Sequence, residues 1–268
     1  MTAAVFHAGP GGLDAVAPGA TVTLTGDEAR HAATVRRLRS GEAVELVDGA
    51  GRRVAGTVQR AAKDELVVAV AEVTDEHPPT VRLVLVQALA KGGRDEQATE
   101  TATELGVDAV VPWQSERAVS VWSGPKVRRG RERWSAVALA AAKQSRRAFV
   151  PAVAEPVGTR ALAARCAEVV TAGGAVVVLH EAATTPLHEA ALPAPGTLVL
   201  AGEHAATAPE VLVVVGPEGG IAPGELDVLA SAGAQVARLG PHVLRTSTAG
   251  PVAVALLAQR LGRWETAR

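Results

Sequence analysis

The chain has 268 residues, 48% apolar and 21% charged, with a formal net charge of −1, a balance that excludes wholesale disorder and supplies apolar surface for one large or two ordinary domains. No basic stretch precedes an apolar one at the N-terminus and no uncharged apolar run approaches bilayer length, so neither a secretory signal nor a membrane partner is expected. A single cysteine, Cys166, excludes an internal disulfide and a cysteine-clustered zinc site and points to a reducing, cytoplasmic setting.

In chain order, β-rich runs at 21–24, 43–47, 54–58 and 66–70 come first, separated by turn signals such as Asp48-Gly49-Ala50-Gly51. One helix interrupts them over 25–37, with Thr25 as N-cap and Glu28 at capping-box spacing. These elements read as a small β-barrel over 1–76, stopped by His77-Pro78-Pro79. Strands and helices then alternate through a second domain, 77–268. Strands are expected at 81–86, 109–112, 175–179, 211–215 and 235–239, and helices at 94–105 (closed by Gly106), 131–147, 223–231 and 248–261. The β-branched runs at 175–179 and 211–215 mark parallel strands covered on both faces, so this domain is α/β and the whole chain α+β. The last helix is apolar all round, with Pro251 tolerable only in its first turn. A helix of that kind is buried by its own fold or by a second subunit; both together are favoured, which predicts a homodimer.

Net charge hides an asymmetry: residues 1–81 carry −3, 82–150 carry +5 and 151–268 carry −3. The middle third holds Lys126, Arg128, Arg129, Arg131 and Arg133, then Lys143, Arg146 and Arg147. This basic stretch reads either as a solvated helix face whose end complements the helix dipole or as an RNA-facing patch. Twenty-three arginines against four lysines fit codon bias in a G+C-rich genome or phosphate binding by the guanidinium fork. Six aromatics are too few for a protein that grips single strands by base stacking.

Several chemistries are absent. There is no phosphate-binding P-loop and no G-x-S-x-G elbow. His180-Glu181 and His188-Glu189 begin like zinc-protease motifs, but Thr184 and Leu192 stand where the second histidine belongs, and no metal site is expected. Gly9-Pro10-Gly11-Gly12 lacks the flanking strand and helix of a dinucleotide loop, and Cys166 has no activating partner. What remains is three strand-end segments: Leu179-His180-Glu181, Gly216-Pro217-Glu218-Gly219-Gly220-Ile221, and Leu239-Gly240-Pro241-His242-Val243-Leu244-Arg245-Thr246. Ligands bind outside the carboxyl ends of strands in open α/β sheets, and glycines there let a backbone approach a flat heterocycle. Each segment alone is an ordinary tight turn; the three together predict a ligand site.

The second and third segments, in this order and spacing, closely resemble those of a SPOUT-class family of 16S rRNA (uridine-N3) methyltransferases. The resemblance extends over nearly the whole chain, through His31, Val35, Arg37 and Gly41, through Gln87, Lys91 and Arg94, and through Lys143, Gln144 and Arg146. It implies a PUA-like N-terminal barrel, a trefoil knot in the C-terminal domain, and S-adenosylmethionine held by the three segments. It also implies a homodimeric site acting on the uridine at position 1498 of 16S rRNA within the small ribosomal subunit. The cofactor set is then Leu179, His180, Glu181, Gly216, Pro217, Glu218, Gly219, Gly220, Ile221, Leu239, Gly240, Leu244 and Thr246. Uridine N3 is unreactive until its proton leaves, so the reaction needs a base or a cation that stabilises the anion over O2 and O4. Arg245 is assigned the cationic role, with a salt bridge to Glu218 as its ordinary alternative; Glu218 or solvent is the base. Arg37, Lys91, Arg94, Lys143 and Arg146 are assigned to rRNA phosphates. One departure stands out: Ser247 occupies a position that is often glutamate in the family. The rival readings are another SPOUT RNA methyltransferase, acting on a ribose 2′-OH or a different base, and a non-catalytic ribosome-assembly factor.

Overall fold

A computed structural model describes residues 3–194 and 208–265. They form two compact units, one over 3–78 with 142–150 and one over 79–141 with the described residues from 151 on.

The first unit contains β1 (Ala4–His7), β2 (Thr21–Thr25), α1 (Gly26–Arg30) running into a π-turn (His31–Val35), β3 (Ala43–Val47), β4 (Arg52–Ala62) and β5 (Glu65–Asp75). The sheet order is β1-β3-β4-β5-β2; β1 pairs with β3 in parallel and the other pairs are antiparallel. Alternation sends Val22, Leu24, Leu46, Val54, Leu66 and Val68 inward onto Phe6 and Leu13. β4 and β5 run well past the apolar cores read from sequence, because charges at their ends pair across the ladder, as in Arg52 with Asp75 at 3.2 Å. The capping box expected at Thr25 does not form: Thr25 makes no side-chain cap bond. Glu28 is engaged elsewhere, accepting the His7 N–H at 3.1 Å and pairing with Lys143.

The second unit contains β6 (Arg82–Ala88), α2 (Arg94–Glu104), β7 (Ala109–Gln114), α3 (Pro125–Gln144, whose last turn packs with the first unit), β8 (Ala152–Val153), β9 (Val157–Gly158) and α4 (Thr159–Thr171). β10 (Ala175–Leu179), a 3-10 turn (Leu187–Glu189), β11 (Glu210–Val215), α5 (Pro223–Ser231), β12 (Gln235–Ala237) and α6 (Thr246–Arg260) complete it. The strands are parallel in the order β12-β10-β11-β6-β7-β8, with β9 also on β7. Successive residues face opposite layers. Leu83, Leu85, Val177 and Val213 pack with Ala98 of α2, Trp134 of α3 and Leu257 of α6; Val84, Val86, Val178 and Leu212 pack with Leu162 and Cys166 of α4 and Leu229 of α5. Hence both faces of each central strand are apolar.

Two helices start earlier than their sequence suggests. α3 begins at Pro125, six residues before the predicted start, so the basic run lies within it. Gly130, inside this helix, is the place where Trp122 lies: a Cβ there would come within 2.5 Å of the indole, which stacks edge-on against Trp134 at 5.3 Å. α6 begins at Thr246, so Pro251 sits in its second turn rather than its first, and no N–H is available there for the Ser247 carbonyl. Among the described residues no helix is long and apolar enough to cross a membrane. The connection between β10 and β11, through which the implied knot would run, includes 195–207, which lie outside the described residues.

Candidate active site

Parallel pairing in the order β12-β10-β11 sets the carboxyl ends of three strands side by side. The three segments that leave them therefore enclose one cavity of about 700 Å³. Leu179, His180 and Glu181 line it from the first segment, and Gly216, Pro217, Glu218, Gly219, Gly220 and Ile221 from the second. Leu239, Gly240, Leu244, Arg245 and Thr246 line it from the third. Every residue assigned to the cofactor from sequence thus reaches the same space.

The walls are tied to one another by a short polar chain. Thr246 Oγ1 donates to the Gly216 carbonyl at 2.8 Å and accepts from Gln87 Nε2 at 2.8 Å, so α6, the glycine loop and β6 are fixed together. Gly220 has φ +72°, a left-handed conformation that returns the loop toward Pro217, whose carbonyl accepts the Gly220 N–H at 2.9 Å. Leu179, Val215, Ile221, Leu239 and Leu244 supply apolar surface beside the exposed backbone of this loop.

Arg94, Arg117, Arg238 and Arg245 face two carboxylates, Glu181 and Glu218, so the lining is electropositive and suited to an anionic ligand. Glu218 is the best-held of these groups. Its Oε1 accepts the Lys91 N–H at 3.2 Å and Arg94 Nη1 at 3.0 Å. Partial burial alone would raise its pKa, but hydrogen bonds from its own N–H, from Lys91 and from Arg94 outweigh that and hold the carboxyl below the usual carboxylate range. A carboxylate held this way is a weak proton acceptor. The alternative salt bridge between Arg245 and Glu218 is not formed, and Arg245 makes no side-chain bond or ion pair among the described residues.

The five arginines and lysines assigned to RNA are not in one place. Arg94 lines the cavity in its pair with Glu218; Lys91 is exposed and does not line it. Arg37, Lys143 and Arg146 belong to the first unit, where Lys143 is paired with Glu28. Arg37 (φ 52°) and Arg146 (φ 59°) are the two non-glycine residues with positive φ among those described. Ser247 is buried in the first turn of α6 and does not line the cavity, so the departure from the family's glutamate falls behind the wall. Cys166 is buried, and burial pushes its thiol up to about 11, consistent with an unreactive core residue. Among the described residues no group of three His, Cys, Asp or Glu could hold a metal ion.

Sequence reading missed Arg117 and Arg238, which lie outside the three segments, as lining residues. Arg238 directly follows β12, and Arg117 lies three residues beyond β7. The rule that singled out the three segments, position at a strand's carboxyl end, points to both of them.

Residues 76–258 match a family model described as an RNA methyltransferase domain, and residues 24–83 one described as an RNA methyltransferase PUA domain. Ribosomal RNA small subunit methyltransferase E of Mycobacterium bovis is 45% identical over 247 residues, 92% of this chain and 89% of its own length. The Bacillus subtilis protein of the same name is 32% identical over 134 residues, 50% of this chain and 52% of its own. The structure of a ribosomal RNA small subunit methyltransferase E from Neisseria gonorrhoeae, bound to S-adenosyl methionine, matches with a TM-score of 0.80 at 24% identity, covering 97% of this chain and 98% of that one. This last likeness is one of fold.

Proposed function

Because the chain belongs to the RNA methyltransferase family with an accompanying PUA domain, we propose that it methylates N3 of one uridine, position 1498, in the 16S rRNA of the small ribosomal subunit, with S-adenosylmethionine as methyl donor. The observation that carries the reading is the convergence of all three strand-end segments on one cavity of about 700 Å³, within the range that takes a molecule of this size. The residues fit the donor. Leu179, Val215, Ile221, Leu239 and Leu244 offer the flat apolar walls an adenine ring needs, and the Gly216–Gly220 backbone offers N–H and C=O groups to its edge.

Bound S-adenosylmethionine supplies an electrophilic methyl group. The chain's own residues bring uridine N3 into line with that methyl and stabilise the charge that appears when the N3 proton leaves. Arg245, exposed in the cavity without a carboxylate partner among the described residues, stabilises the anion over O2 and O4. Glu218, kept ionised by Arg94 and the Lys91 N–H, positions these two residues, and the proton passes to solvent. The target uridine leaves its stack to reach the cavity, as substrates of base-modifying enzymes do. The first unit binds the RNA, with Arg37 and Arg146 on phosphates; the enzyme works as a homodimer in the cytoplasm.

The test is transfer of tritiated methyl groups from S-adenosylmethionine to 30S particles lacking the modification, with the product mapped by primer extension. A stop at the uridine is expected. Methylation at another nucleotide or at a ribose would replace the assigned substrate with that of a different RNA methyltransferase. Cofactor binding without transfer to particles or free rRNA would make the protein a binding factor.

A further inference from the structure

Residues 115–118, just beyond β7, bring Arg117 to the cavity from outside the three strand-end segments. The backbone of this loop is held on several sides. The Glu116 N–H donates to Glu225 Oε1 at 2.9 Å, and Glu225 is a buried carboxylate that also accepts the Ala222 N–H. Farther along, Gln114 clasps both the Ser120 carbonyl, at 3.2 Å, and the Trp122 N–H, at 3.0 Å. The loop also lies directly on the glycine loop: a Cβ on Gly219 would meet the Arg117 carbonyl oxygen at 3.1 Å and its Cβ at 3.2 Å. Glycine at 219 therefore serves the close approach of Arg117.

The side chain carried by this fixed backbone is hardly engaged. Among the described residues its one side-chain hydrogen bond, Nη1 to the Gly219 carbonyl, is 3.4 Å long, at the limit of a useful bond. The guanidinium has five N–H donors and, among the described residues, no ion pair with a carboxylate, whereas Arg94 is neutralised by Glu218. It is exposed to solvent while lining the cavity, which places it at the mouth. A rigidly presented, exposed, uncompensated guanidinium fork is matched to an anionic oxygen pair.

We propose that Arg117 is a substrate-binding residue that holds an RNA phosphate at the mouth of the cavity, beside the nucleotide being methylated. This rests on the reading that RNA is the substrate. The carboxylate of the methyl donor's methionine moiety has similar chemistry; the RNA phosphate is favoured because Arg117 is exposed and arrives from outside the cofactor segments.

The experiment compares wild type, Arg117→Ala and Arg117→Lys for methyl transfer to unmodified 30S particles, for particle binding across a salt series, and for S-adenosylmethionine binding by calorimetry. For Arg117→Ala the expected result is a KM for particles raised roughly tenfold, as for the loss of a charge-assisted hydrogen bond. Its kcat and cofactor affinity should stay within about twofold, and its salt slope should be shallower by roughly 0.7–0.9, the contribution of one phosphate. Arg117→Lys should recover part of the KM. A particle KM and salt slope equal to wild type would overturn the proposal. So would a loss of cofactor affinity with the particle KM unmoved, which assigns the guanidinium to the methionine carboxylate. Failure of the wild type itself to bind particles would overturn the RNA-substrate reading, and this proposal with it.

Discussion

Arg94 and Arg245 line one cavity, yet among the described residues Arg94 has a carboxylate to hold it and Arg245 has none. The difference decides what each can do. A guanidinium already paired with Glu218 has little field left for a developing anion, whereas Arg245 is poised to meet one. Removal of a charge-stabilising donor from an active site typically lowers kcat by 10²–10³-fold. Arg245→Ala should therefore lose about that much in the methyl-transfer assay while still binding the cofactor. Glu218 carries the opposite expectation. Hydrogen bonding holds its pKa below the ordinary carboxylate value, so it is ionised throughout neutral and alkaline pH and cannot be the group whose titration shapes the rate there. Glu218→Gln should lower activity by loosening Arg94 and the Lys91 loop but leave the shape of the kcat profile between pH 6 and 9 the same as wild type. A changed shape would make Glu218 the base after all.

At the scale of elements, two helical segments end on an arginine where glycine is usual. α3 finishes with the Arg147 N–H bonded to the Ala142 carbonyl at 2.9 Å and the Arg146 N–H to that of Lys143 at 3.2 Å, the Schellman pattern in which the next residue is usually glycine. Arg146 occupies that left-handed position instead. Arg37 does the same after the π-turn, where the Leu38 N–H reaches back to the Ala32 carbonyl at 3.0 Å. A left-handed non-glycine residue costs roughly 1–2 kcal/mol, so the proposed RNA-binding role of Arg146 is separable from its effect on stability. Arg146→Gly should raise the unfolding free energy by roughly 1 kcal/mol and at the same time weaken RNA binding, measured by urea denaturation and filter binding. Greater stability with RNA affinity unchanged would remove Arg146 from the RNA-binding set.

At the scale of the molecule, α6 buries eight residues, from Thr246 to Ala258, in its own unit and leaves Leu256 42% exposed, while Val243 beside the cavity is 80% exposed. An exposed leucine on α6 and an exposed valine beside the ligand cavity are what a second copy of the chain would cover. The wild type should run at twice the chain mass of 27.3 kDa in light scattering, and Leu256→Glu should shift it toward monomer and weaken cofactor binding. A wild-type protein monomeric at micromolar concentration would exclude the homodimer. The division into units has its own lesson. Prolines mark a break near residues 77–79 in the sequence, yet no local signal tells that Ala142–Val150, far along the chain, packs with the first unit.

Much was legible in the sequence because its signals are local. Uninterrupted β-branched runs at 175–179 and 211–215 have no polar face to show water, so they had to be covered on both sides; the parallel sheet follows. The three glycine-bearing segments were legible as strand ends for the same reason. Pairings between distant groups were not. Glu28 sits at capping-box spacing from Thr25, but His7 and Lys143 reach its carboxylate first. Glu218 looks like a base until Arg94, more than a hundred residues earlier in the chain, occupies it. Arg117 looks like any surface charge until the loop after β7 is laid against Gly219. Hydrophobic periodicity records which face of an element is buried, and it holds no information about which polar side chains the folded chain will bring within three ångströms of each other.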